Sequence, residues 1–238
     1  MGDLPDLGVP YCFDPAAGDD PTGGLTIVAL HGSPGDESSL LEAAHAIAPG
    51  AAVFSPRGPV DDGEGFGHLP RRPSPEEEAG LDPDLPTPWQ EAVHRRTGEL
   101  AELVGAACKA FGLDAGRVCV FGFSDGATTA AALALDHPAA VVGAVVLSGK
   151  PAFRPPGGRL LDRKQIFCAT GRNDDVVTMD DYEELVEGLV TAGADVELHW
   201  YEVGHEIADE ALVHAASWLA RRLPPPPPAD DDEQEDDA

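Results

Sequence analysis

Lysine is almost missing from this chain. Only Lys109, Lys150 and Lys164 carry an ammonium group; with the arginines the basic total is 15 against 43 acids, a formal net charge of −28 over 238 residues. So few cations exclude nucleic-acid binding as a first reading, because phosphate contacts need clustered Lys and Arg. They also argue against docking on an anionic membrane surface. Long hydrophobic runs are missing too: none approaches the roughly 18 residues of a membrane span. The N-terminus MGDLPDLGVPYCF has no basic or apolar signal-peptide region. Asp6 stands where a myristoylation signal needs Ser or Thr. Cysteine is scarce, with four residues and no CxxC pair. Cys119 and Cys168 lie in apolar runs, where a thiol packs as a small hydrophobe. That pattern fits a reducing compartment, and a cytoplasmic location is expected.

What abounds is acid. Seven acids lie in 230–238, yet most of the excess is spread over the rest of the chain. Self-repulsion on that scale opposes compaction unless salt screens it. The Debye length falls from ~10 Å at 0.1 M to ~3 Å at 1 M salt. The composition therefore reads as adaptation to a salty cytoplasm, with a merely acidic protein from a GC-rich genome as the alternative.

Hydropathy divides the chain into three parts. Residues 1–24, rich in Asp, Gly and Pro, read as loose. Residues 25–223 alternate strand and helix patterns. Residues 224–238, five prolines and then acids, read as a stiff spacer and a solvated tail. Strands are expected at 25–30, 51–54, 118–121, 141–147, 165–170 and 196–201. Helices are expected at 38–47, 91–111 with Gly112 as its stop, 127–135, around 182–190, and 208–222. Repeated strand-then-helix order predicts a mostly parallel sheet with helices on both faces. An irregular stretch, 55–88, interrupts the order and is long enough to be functional.

Gly122-Phe123-Ser124-Asp125-Gly126 is a G-x-S-x-G sequence that follows an apolar strand and opens a helix. Strand, tight turn and helix are the setting of a nucleophile elbow, with Ser124 Oγ exposed at the turn. The bland alternative is a Gly-rich turn with a capping serine. A serine needs a base to take its proton. In this architecture an acid follows a later strand and a histidine follows the last one. Asp174 and Asp175 follow 165–170, and His205 follows 196–201. His205 would be general base and then general acid; residue chemistry leaves the choice between the two aspartates open. Oxyanion donors are expected at the Asp125 amide and the Ser33 amide of His31-Gly32-Ser33-Pro34-Gly35. His31 reads as a structural histidine shaping that loop. Phe66 and Val176 are candidates for the pocket wall. Gly63–Gly67 opens no helix and so is no dinucleotide fingerprint. Asp209 stands where an HExxH zinc pair needs its second histidine. No metal and no cofactor are expected.

The motifs ALHGSPGDE at 29–37, SPRG at 55–58, GFSDGA at 122–127, LSGK at 147–150 and GRNDD…VGH at 171–205 together resemble the phospholipase/carboxylesterase branch of the α/β hydrolases. The stretch 63–85 is similar to a bacterial and archaeal subgroup linked to hydroquinone-responsive operons. The family's acidic motif reads G-x-x-D-P, which selects Asp174; Asp175 replaces the usual proline. Its elbow usually reads Ser-Gln-Gly, where this chain has Ser124-Asp125-Gly126. The resemblance implies an α/β-hydrolase fold and a cofactor-free serine hydrolase. Its substrates would be small carboxylic esters, with thioesters and lysolipids in range. It would be a monomer or homodimer. The rivals are a dienelactone- or peptidase-like hydrolase on the same scaffold, and a non-catalytic binding protein of this fold.

Overall fold

The structure is a computed structural model and describes residues 5–18, 22–82, 85–155, 158 and 160–226. In chain order its elements are β1 (Tyr11–Asp14), β2 (Thr26–Leu30), α1 (Leu41–Ile47), β3 (Ala52–Pro56), β4 (Val60–Asp61), β5 (Phe66–Gly67), α2 (Pro75–Glu78) and α3 (Pro88–Phe111). After them come β6 (Val118–Phe123), α4 (Asp125–Asp136), β7 (Gly143–Leu147), β8 (Gln165–Gly171), α5 (Met179–Thr191), β9 (Asp195–Tyr201) and α6 (Asp209–Arg222).

Seven strands form one sheet in the order β1-β3-β2-β6-β7-β8-β9. All neighbours are parallel except β1, which runs antiparallel to β3. The inner strands β2, β3, β6, β7 and β8 are buried on both faces and read as apolar runs rather than alternating ones, while the edge strands β1 and β9 are only partly buried. Along β2, Val28 and Leu30 join a core shared with α3, α4 and α5. Ile27 and Ala29 join the opposite core, shared with α1 and α6 around Trp218. The chain winds from β2 outward to β3 and returns to β6 on β2's other side. The strand order therefore reverses between β2 and β6, where open α/β sheets place ligands at the carboxyl ends. The loop after β2 and the turn after β6 meet there.

The long helix begins earlier than its apolar spacing indicates. Thr87 Oγ1 accepts the Gln90 amide at 3.2 Å and Gln90 Oε1 accepts the Thr87 amide at 2.9 Å. This capping box, with Pro88 in the first turn, starts α3 at Pro88. Gly112 ends it in the left-handed conformation, φ 68°. The stretch 1–24 is not wholly loose: β1 pairs along β3, and the Phe13 ring stacks on Phe111 at 3.7 Å. Four residues flanked by Gly and Pro carry too short a pattern for sequence to reveal. The stretch 55–88 holds three short elements, β4, β5 and α2. At the far end, Arg117 Nη2 donates to the carbonyls of Thr22 and Pro224 at 2.9 and 3.1 Å. The acidic tail expected at 229–238 lies outside the described residues. Among the described residues no helix is long and apolar enough to cross a membrane.

Candidate active site

Ser124 sits between β6 and α4 at φ 56°, ψ −117°. A side chain at positive φ is strained, and packing must hold it there. The Ser124 amide donates to the Leu147 carbonyl at 2.9 Å. The glycines on either side are required by contact: a Cβ on Gly126 would strike the Leu30 carbonyl, and one on Gly122 the Gly126 backbone. The elbow is thus set by backbone fit.

His205 and Asp174 arrive from neighbouring strand ends. The Arg172 amide donates to Tyr201 O at 2.7 Å and the Asn173 amide to Val203 O at 3.0 Å, which lashes the loop after β8 to the loop after β9. Gly171 permits that approach, since a Cβ there would strike Val203 O. His205 Nε2 then stands 2.9 Å from Ser124 Oγ, and Nδ1 lies 2.8 Å from Asp174 Oδ2. The Asp174 side chain is fully buried and that of His205 is 19% exposed. Burial pushes the Asp174 carboxyl up, but the Val177 amide, the His205 ring and the Val176 amide together outweigh it and leave the carboxyl below its ordinary range. Those amides donate to Asp174 Oδ1 at 2.8 and 2.9 Å. A charged carboxylate at Nδ1 keeps the proton on that nitrogen, leaving Nε2 free to accept from Ser124 Oγ. Asp175, the rival acid, is exposed.

The loop after β2 forms the other side. His31 is fully buried; its Nδ1 donates to Gly32 O at 2.8 Å and its Nε2 accepts the Gly58 amide at 2.9 Å. Burial lowers its pKa, so the ring stays neutral and shapes the loop, as its sequence position suggested. No acceptor among the described residues takes the Ser33 or Asp125 amide. The Ser33 hydroxyl donates to Asp62 Oδ2 at 2.6 Å. The Asp125 side chain is tied to the long loop: its Oδ2 accepts the His68 amide at 2.6 Å and the Leu69 amide at 3.3 Å. Burial raises that carboxyl to about 6 against the pull of these two amides.

A cavity of about 370 Å³ opens over Ser124, with Ser33, Asp125, Leu69, Trp89 and Val176 on its walls. Val176 stands where expected. Phe66 does not line it. Its backbone pairs with Gly35 and its ring lies 4.6 Å from the Arg57 guanidinium, so its role is to fasten the long loop to the loop after β2. Trp89 was not foreseen. Its indole donates to Pro70 O at 2.9 Å, a contact between distant segments that no local pattern signals. No group of three His, Cys, Asp or Glu that could hold a metal occurs among the described residues.

With this geometry in place, comparison with known proteins decides the family. A phospholipase/carboxylesterase family model matches residues 23–223. The chain belongs to that family. It is a carboxylic ester hydrolase of the α/β-hydrolase fold. A Bacillus subtilis protein named as a hydrolase, MhqD, is 28% identical over 194 residues, 81% of this chain and 90% of its own. The crystal structure of a Bacillus cereus carboxylesterase superposes with a TM-score of 0.77 at 28% identity, covering 90% of this chain and 94% of that one. A Mesorhizobium loti carboxylesterase superposes at 0.71 and 27% identity, covering 87% and 98%.

Proposed function

We propose that Ser124, His205 and Asp174 form a catalytic triad that cleaves small carboxylic esters through an acyl-enzyme, thioesters and lysolipids being further candidates. The observation that carries this is the relay itself: Nε2 of His205 2.9 Å from Ser124 Oγ, with Asp174 Oδ2 2.8 Å from the opposite ring nitrogen. Ser124 Oγ attacks the ester carbonyl as its proton passes to His205 Nε2. The carbonyl oxygen becomes an oxyanion and accepts from the Ser33 and Asp125 amides. Asp174 stabilises the imidazolium. Collapse expels the alcohol, which leaves with the proton from Nε2. Water, deprotonated by His205, then frees the acid and restores Ser124.

The cavity favours compact substrates, since about 370 Å³ lies at the low end of small-molecule sites. The acid excess suits work in a salty cytoplasm. The test is turnover of a short-chain aryl ester in molar salt. Ser124→Ala is expected to lower kcat by at least ~10³-fold. A variant that keeps the wild-type rate would overturn the assignment.

A further inference from the structure

Cations are rare in this protein, with 15 basic residues against 43 acids, yet three of them, Arg71, Arg72 and Lys150, line the cavity that holds Ser124. They are held in place by different elements. The Arg72 guanidinium lies 5.0 Å from the Trp89 ring centroid and its Nη1 donates to Pro151 O at 2.9 Å. The Lys150 amide donates to Thr128 Oγ1 at 2.9 Å, on the first turn of α4, and Thr128 Oγ1 donates to the Ser124 carbonyl at 3.3 Å. Arg72 and Lys150 are therefore both tied at one short segment, 150–151, next to the elbow.

The acids of the same cavity are occupied. Asp62 accepts the Ser33 hydroxyl and the Glu64 and Gly65 amides. Asp125 accepts the two loop amides. The cations differ among themselves. Arg71 is paired with Glu77 and Lys150 with Asp181 at 3.3 Å. Arg72 has no carboxylate within 4.0 Å among the described residues. A planar guanidinium fixed by stacking and lacking an acid partner is suited to take an oxyanion on its free edge.

We infer that the ester this site takes carries an anionic group, a carboxylate or a phosphoryl oxyanion, that docks against Arg72 and Lys150. This rests on the esterase reading above and narrows it. It also sets one carboxylate-free cation at the cavity wall of an otherwise acidic protein, where it can draw a small anion at close range while the outer charge is screened by salt.

The test compares three ethyl esters of matched size: monoethyl succinate, its neutral isostere ethyl succinamate, and ethyl 3-phosphonopropanoate. Released ethanol is the readout. Wild type is expected to show kcat/KM at least ~10-fold higher for an anionic ester than for the succinamate, a typical return for one well-placed charge-assisted hydrogen bond. Whichever anion gains more identifies the oxyanion. Arg72→Gln is expected to shrink that ratio to near one, and Arg72→Lys to retain most of it. Because the ratio is internal to each protein, partial unfolding of a variant does not mimic the effect. Lys150→Gln, away from the Trp89 stack, supplies a second, smaller reduction. Turnover of the succinamate with a ratio of one or below in wild type overturns this inference and leaves ester hydrolysis standing. No turnover of any of the three, in a protein that leaves an aryl ester intact as well, overturns both.

Discussion

The two walls of the cavity are built by different physics. The elbow wall, β6, Ser124 and α4, is set by backbone fit: glycine contacts, a strained serine and a fully buried strand. The loop wall, residues 57–72, is tied down by side-chain hydrogen bonds between distant segments. Asp125 accepts the His68 and Leu69 amides, Asp62 accepts the Ser33 hydroxyl, Trp89 donates to the Pro70 carbonyl and Arg72 to the Pro151 carbonyl. Backbone fit does not change with pH or salt. Carboxylate ties do. The difference teaches that Ser124 is held by backbone packing while the facing wall answers to ionisation.

The largest expected effect disarms Ser124 chemically without moving the wall that carries it. Asp174→Asn keeps the shape but supplies an NH₂ that can leave His205 in the wrong tautomer, with Nε2 protonated toward Ser124. kcat on a short aryl ester should fall by roughly 10⁴-fold with little change in Tm. A loss under tenfold would show that the relay is not used.

A smaller effect sharpens the loop wall. Asp125 titrates near 6 in the fold against an ordinary 3.8. The folded value is raised, so its contribution to stability is full below pH 3.8 and is lost as pH rises through about 6. Asp125→Asn carries no charge, and its Oδ1 can still accept both amides. The variant should match wild type near pH 4 and exceed it by about 2 kcal/mol, or roughly 5 °C in Tm, at pH 8. Equal melting curves at both pH values would contradict the carboxylate tie.

The smallest effect per group is screening of exposed acids, worth about 0.2–1 kcal/mol at a single pair. Asp61, Asp62 and Glu64 crowd the loop wall. Raising salt from 0.1 to 1 M should raise Tm and slow amide exchange in 62–69, with α4 protected equally at both concentrations. A Tm that stays flat or falls would defeat the reading of the acid excess as salt adaptation.

How much of this was legible follows the same division. Ser124, His205 and the order of the strands carry local signatures: an apolar run, a G-x-S-x-G turn and a loop position after a strand. The structure brings these residues together. The choice of Asp174 over Asp175 needed either the family motif or the buried contact itself. Around the cavity, sequence placed Phe66 on the pocket and missed Trp89, Arg72 and Lys150. Contacts such as Trp89 with Pro70, or Arg72 with Pro151, join segments far apart and have no periodicity to betray them. β1 was hidden for another reason: four residues at a sheet edge are stabilised by β3 and Phe111 rather than by their own pattern.

The central claim is that Ser124 is the nucleophile. The direct measurement is peptide mapping by mass spectrometry after a fluorophosphonate is added to the folded protein in molar salt. The label is expected on Ser124 alone, at one per chain, with esterase activity lost in step. Label on another residue, or full activity after Ser124 is left unmodified by excess reagent, would contradict the account.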